Sequence, residues 1–571
     1  MGTLHKFSFI FICFIAISCT PKEETLIVIE TNMNYQDLVK LHKEFREFQM
    51  IPLKNGVPDY SPDAVAGRWG ELKVFQKQLL AFNFSSWSIS EKIDYHLVRA
   101  EMNGLEFQHR VVRPWSRDAS FYLQTQEGAG PTRYGTLDLW RLSLPLEEEE
   151  LDDFSMKLKA VPEIFSQARK NLTEGAVDFA TLALQHLNEE VEVFEALALN
   201  LSKHHPALVA EAVAAQKAVT EYGLWLEENK VKMTANAGVG KDNYSWLMKN
   251  VYLFPYSWDE IRMIVELEDN RVRTFQRLEE NRNRKLSHLK PAQSQAEYKQ
   301  RVKESIEHIM NFLKEEEIFT VDEFLTTEDY FGTWHNFEDP WPEKHDYFFN
   351  FSHREAVMEE THEMVGHHFD ELRAKRNPHP IRGGFPPYKI GTARHEGFAF
   401  ALEELMMHAG YLDGRSSKGR EIAYEQSAFR TVRALSDVYM HSHDWDLEDA
   451  VKYCVENAPH GELLEGSHHL WYEMATTLRG TGHHMLMVVG KVQFMKLFRD
   501  RANQMGDDFT LKKFMDEFIA TGTIPFSLTR WEMTGYDDEI IELLVTNGAD
   551  QDLKAKDGRT AADFANLSGN K

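Results

Sequence analysis

Apolar residues recur at three- and four-residue spacing, with charges between them, along most of the chain from about residue 34. That period marks amphipathic helices sharing a core. It predicts helices over Asp37 to Phe48, Trp69 to Phe82, Glu91 to Val111, Glu148 to Leu172, Ala176 to Leu201, Pro206 to Asn229, Trp258 to Ser287 and Ser294 to Glu316. A further helical pattern begins near His353, and another runs from Arg394 to Glu404. Turn-rich breaks fall near Asn55 to Pro62, Gly128 to Tyr134, Asn236 to Tyr244, Asp339 to Lys344 and Asn377 to Tyr388. Strand-like runs are few, and Leu26 to Glu30 and Asp346 to Phe351 are the best of them. The expectation is a mainly α fold with little sheet, one large helical unit over residues 33–534.

The two ends break the pattern. After His5 and Lys6, an apolar run from Phe7 to Ile17 is short for a membrane span and fits a signal-peptide core. It ends Ala16-Ile17-Ser18-Cys19, which resembles a bacterial lipobox. Residues 1–18 then read as a signal peptide, Cys19 as the lipid-bearing residue and 19–32 as a tether. The chain would meet a membrane through that lipid alone, in the envelope of a bacterium, with Thr20 after Cys19 fitting an outer-membrane destination. At the other end, Asp538 to Asp550 and Asp557 to Ala565 resemble one ankyrin repeat, so 535–571 is read as a tail that could engage a protein partner. A lone repeat cannot bury its own faces.

Charge and cysteines narrow the classes. Ninety acidic against 64 basic residues leave a net charge of −26, which argues against nucleic acid as a partner. Only Cys13, Cys19 and Cys454 are present. With the first removed and the second acylated, Cys454 has no disulfide partner and reads as a packed thiol.

The chemistry concentrates in Thr361-His362-Glu363-Met364-Val365-Gly366-His367-His368-Phe369-Asp370. The usual zinc-hydrolase helix sets two histidines four apart, with a glutamate beside the first as base. Here Gly366 stands at +4, with His367 and His368 at +5 and +6. On a regular helix +5 is rotated by about 140°, so those histidines could not share an ion. One residue absorbed as a π-bulge, eased by Gly366, would restore His367 to the face of His362. His367 is therefore the first choice for a second ligand, and His368 the alternative. Glu396, in Arg394-His395-Glu396-Gly397-Phe398, is an acid among small and apolar residues and the candidate third ligand. Glu403, seven residues on, lies on the same face and is placed to orient a ligand. His204, His205, His441, His443, His468 and His469 have no spacing that suggests metal binding.

Together these segments resemble the bacterial domain-of-unknown-function family 885, over almost all of the mature chain. His362 to His368 parallels the family's His-Glu-x-x-Pro-Gly-His, and Glu396 to Glu403 its Glu-Gly-Trp-Ala-x-x-x-Glu. Further matches are Ile93 to Ala100, Arg113-Pro114-Trp115, Gly240 to Leu247, Arg479 to Gly482, Gly490-Lys491 and Gly522 to Ser527. The resemblance implies a zincin-like metallopeptidase fold, an exported protein and a Zn2+ cofactor held by two histidines and Glu396. Glu363 would be general base, acting on a peptide or small amide. Ungapped alignment to the family puts its second histidine on His368. The spelling His-Glu-x-x-Gly-His over 362–367 resembles dipeptidyl peptidase III instead and favours His367. Met487 stands where the family tends to have tyrosine, so an oxyanion donor would come from His483, His484 or Arg479. Two alternatives stay open: an inactive envelope binding or assembly protein using the same fold, and a zinc hydrolase of a non-peptide amide or ester.

Overall fold

The computed structural model describes residues 33–546, except 55–56, 124–136, 138, 140–141, 329, 331–346, 385–387, 389 and 462. The lipobox at Cys19, the run Leu26 to Glu30 and the second half of the ankyrin-like tail lie outside the described residues.

Helices dominate, and the periodicity placed most of them within a few residues. α1 (Tyr35–Gln49) leads into a two-residue hairpin, β1 (Leu53–Lys54) against β2 (Val57–Pro58), the only sheet among the described residues. α2 (Pro62–Leu80) and α3 (Ile89–Phe107) follow, then the short α4 (Pro114–Arg117). α5 (Glu148–Asn171), α6 (Val177–His204) and α7 (Val209–Asn229) pack on a core of their own around Leu158, Phe165, Phe194 and Tyr222. Next come α8 (Lys241–Asn250), α9 (Trp258–Arg282) and α10 (Gln295–Glu315). Asn and Ser caps start several of these: Asn34, Ser88 and Ser257 each accept from the backbone and are answered by an acid three residues on. This reciprocal box satisfies donors that the first turn leaves open.

The second half carries the site. α11 (Tyr347–Arg354) and α12 (Val357–Glu360) run into a π-helical stretch, Thr361–His368, continued by α13 (Phe369–Arg376). α14 (Thr392–His408) returns beside it, and α15 (Gly419–His441) lies buried along nearly its whole length. α16 (Leu447–Asn457), α17 (His468–Arg479), α18 (His483–Met505), α19 (Leu511–Ala520), α20 (Phe526–Thr534) and α21 (Asp538–Thr546) complete the order.

Two expectations need correcting. Asp346 to Phe351 was read as a strand, but Tyr347–Arg354 is helical. A short run with three consecutive aromatics, Tyr347 to Phe349, does not fix either period, and length alone cannot tell strand from helix. Asn236 to Tyr244 was read as a turn. Its second half is the start of α8, entered through Gly240 at φ 85. Cys454 is buried as expected, 3.2 Å from Ser436 Oγ, and burial pushes its thiol up to about 12. The first ankyrin-like helix, α21, packs on the body: Ile540 and Leu543 join the main core and Arg530 holds Asp538 at 2.6 Å.

α14 sits between the π-helical stretch and α18, and glycines set both gaps. A Cβ on Gly366 would lie 2.4 Å from the Cβ of Ala399. A Cβ on Gly397 would lie 2.5 Å from the Cα of Gly490. The entry to α14 is held by a buried pair, Arg394 to Asp370 at 2.8 Å, with Arg394 sandwiched between Phe398 and Phe518.

Candidate metal centre

Extra residues in a helix must be absorbed somewhere, and here they are absorbed over Thr361–His368. In that stretch the N–H of Phe369 reaches the carbonyl of Met364, five residues back. A wider turn rotates each residue less than an α-helix does, so positions five apart come to one face. His362 and His367 accordingly face each other: their Nε2 atoms are 3.1 Å apart.

Glu396 arrives from α14. Its Oε2 lies 3.8 Å from His362 Nε2 and 3.5 Å from His367 Nε2. Zinc with bonds of about 2.1 Å in a tetrahedron spaces its ligand atoms roughly 3.4 Å apart. The triangle of 3.1, 3.5 and 3.8 Å is that size, and two imidazoles with one carboxylate are a donor set zinc favours. The residues therefore fit the ion. Glu363, beside the first histidine, offers a carboxylate oxygen within 4.8 Å of ring nitrogens of both.

A second layer aims these groups. Glu403 Oε1 meets His362 Nδ1 at 2.8 Å, and Arg430 meets the same oxygen at 2.7 Å. In the neutral ring this bond puts the proton on Nδ1 and leaves the lone pair of Nε2 facing the triangle. Burial and Arg430 press the pKa of His362 down. Glu396 and Glu403 outweigh them, and it stands raised to about 9. Burial would raise Glu396, but His367 and His362 hold it well below the usual carboxylate range. His395 stacks on His367 with ring centroids 4.0 Å apart, and burial, then the charge of His367, lower it to about 3. Burial and the charge of Glu363 raise Glu359 to about 8.

The other candidates are not brought to this point. His368 turns away, with Nε2 3.0 Å from the carbonyl of Thr326 and its ring 5.3 Å from that of Tyr330. The sixth position is over-rotated even in the wider helix. His484 is buried between Thr477 Oγ1 at 2.7 Å and Glu473 at 3.0 Å, and burial lowers it to about 4. Arg479 is committed to Asp118 at 2.7 Å. Both serve internal ion pairs, Arg479 across 361 positions and His484 with the helix just before it. His483 is the donor candidate on the correct side: its charge adds to those that keep Glu396 ionised. Met487 is buried one turn further along α18. Of the histidines with no expected role, His441 bonds the Thr477 carbonyl at 3.2 Å and His469 lies 3.3 Å from the Glu473 carboxylate.

Sequence reasoning missed Arg430, Glu359 and Gln426. The available signal was α15 itself, where Glu425, Gln426, Arg430, Arg433 and Asp437 occur within a stretch that also carries a continuous apolar pattern. Buried charges of that density need partners.

A mainly helical protein with a His-His-Glu cluster between a π-distorted helix and a regular one is thus the class that fold and geometry define. The chain belongs to the family described as bacterial proteins of unknown function, DUF885, whose model matches residues 49–533. No curated protein matches it. Among solved structures it is similar to a putative lipoprotein of unknown function from Shewanella oneidensis, with TM-score 0.66 and 15% identity over 88% of this chain and 100% of that one. A putative lipoprotein from Colwellia psychrerythraea gives TM-score 0.64 and 14% identity, over 88% of this chain and 98% of that one. At these identities the likeness concerns the fold. No described helix is long and apolar enough to cross a membrane.

Proposed function

We propose that this chain is a zinc-dependent hydrolase of short peptides, tethered in the bacterial cell envelope through lipid on Cys19. The observation that carries the reading is the triangle of His362 Nε2, His367 Nε2 and Glu396 Oε2, with Glu363 beside it.

His362, His367 and Glu396 would hold the ion, and Glu403 with Arg430 would fix the ring of His362. Bound zinc supplies a Lewis acid that acidifies water and polarises a carbonyl. Glu363 takes the proton of the attacking water and passes it to the leaving amine. His483 donates to the oxygen that gains negative charge. The role of the envelope tether is to keep the site where peptides of the cell wall space or the medium pass.

A second reading, the inactive envelope binding protein, draws on one observation: His484 and Arg479 are tied up internally and Met487 has no hydroxyl, which thins the oxyanion donors. A purified Glu363→Gln chain separates the two. The hydrolase reading expects peptide cleavage to drop by at least about 100-fold, at unchanged zinc content. Equal cleavage by both chains contradicts it.

A further inference from the structure

From residue 355 to residue 370 every residue is buried except Glu359 and Glu363. Four positions apart, they share one helical face, about 6 Å from each other along the axis. Glu363 is the general base of the proposed reaction. Glu359 has no such role, and among the described residues no cation is paired with it.

The cations that act on its charge are engaged elsewhere: Arg430 holds Glu403 at 2.7 Å, and His362 meets the same carboxylate at 2.8 Å. The hydrogen bond to Glu359 comes from Gln426 Nε2, at 2.8 Å to Oε2. Gln426 is fully buried, and its Oε1 meets no donor. With Glu359 ionised, flipping the amide would set that oxygen against the carboxylate, so the orphan is relieved from within only when Glu359 takes up a proton. A carboxylate with one amide donor and an amide oxygen with none therefore adjoin beside the site.

We propose that Glu359 and Gln426 form a subsite for a primary ammonium group of the substrate, held one helical turn from Glu363. This rests on the hydrolase reading and names its substrate class. An ammonium carries three donors and no acceptor, which complements the carboxylate and the bare amide oxygen. A peptide spans about 3.3–3.6 Å per residue. An ammonium about 6 Å from the base, if it is the amino terminus, is then one or two residues from the bond cut. The enzyme would remove one or two residues from a free amino end.

The test uses the zinc-loaded chain with Glu363→Gln, so that peptides bind without turnover, and calorimetry with three probes. These are trialanine, N-acetyl-trialanine, and N-acetyl-Ala-Lys-Ala. Trialanine is expected to bind at least about tenfold more tightly than its acetylated form, as one charge-assisted contact implies. Adding Glu359→Gln, a change of the same shape, should bring the two close to equal at unchanged zinc content. Tight binding of the lysine peptide would assign the ammonium to a side chain and keep the subsite. Equal binding of all three probes, binding of none, or discrimination that survives Glu359→Gln overturns it. Absence of zinc overturns the hydrolase reading instead, and the same probes on the metal-free chain still judge the subsite.

Discussion

Two neighbouring helical stretches supply the three converging ligand atoms, and they do it by opposite means. Residues 392–408 keep α geometry, and Glu396 and Glu403 fall on one face because seven residues are nearly two full turns. Residues 361–368 give up α geometry, because five residues are not a whole number of α turns. The first face is obtained from spacing alone. The second needs hydrogen bonds stretched to five residues and a glycine where α14 presses closest. Regular spacing can be read directly from a sequence, whereas a distorted stretch is read by asking which distortion its spacing demands.

The largest expected effect comes from filling the gap between the two stretches. Gly366→Ala puts a methyl 2.4 Å from Ala399 Cβ and 2.8 Å from its Cα. Overpacking of this kind costs about 1–3 kcal/mol, and the shift carries Glu396 away from the histidines. Thermal unfolding should show the loss, and zinc titration should show weaker binding. Adding Ala399→Gly removes the facing methyl and should recover part of both. A Gly366→Ala chain with full stability and affinity would mean the close approach has no bearing on the site.

A smaller effect is expected from the regular stretch. Glu403→Gln keeps the shape but weakens the anchor of His362 Nδ1, and zinc affinity should fall about 10–100-fold. Chelator competition measures this, and an unchanged affinity would detach Glu403 from the site.

The mildest test concerns protons. Without metal, His362 is raised to about 9, so it is protonated at pH 7 and must lose that proton to bind zinc. Calorimetry in buffers of different ionisation enthalpy should report release of about one proton at pH 7. The sign for stability follows. A histidine raised in the folded state contributes fully below its ordinary value near 6.5 and loses that contribution as pH climbs toward 9. Metal-free protein should therefore lose stability over that window, and zinc-loaded protein should not. No proton release at pH 7 would contradict the charged His362.

Much of this arrangement was legible beforehand, for a physical reason. Helix period, caps and the Glu396–Glu403 interval are local properties, and the π-stretch followed from asking how His362 and His367 could share a face. What escaped was long-range. Arg479 looks like a substrate-binding cation until Asp118, 361 positions away, is seen to hold it. His484 looks like an oxyanion donor until Glu473 and Thr477, on the helix before it, are seen to hold it. Nothing in the local pattern near Arg479 encodes its partner, and for His484 the turn between two helices hides partners that are close in sequence. The same limit hid Arg430, whose value lies in meeting Glu403 across two helices.

The most direct measurement is the zinc content of the mature chain, purified without chelator and free of any tag, beside His367→Ala and His368→Ala. The account predicts about one zinc per chain in the parent and in His368→Ala, and a loss of it in His367→Ala. Zinc lost from His368→Ala but kept in His367→Ala, or no zinc taken up by the parent from a micromolar solution, would contradict it.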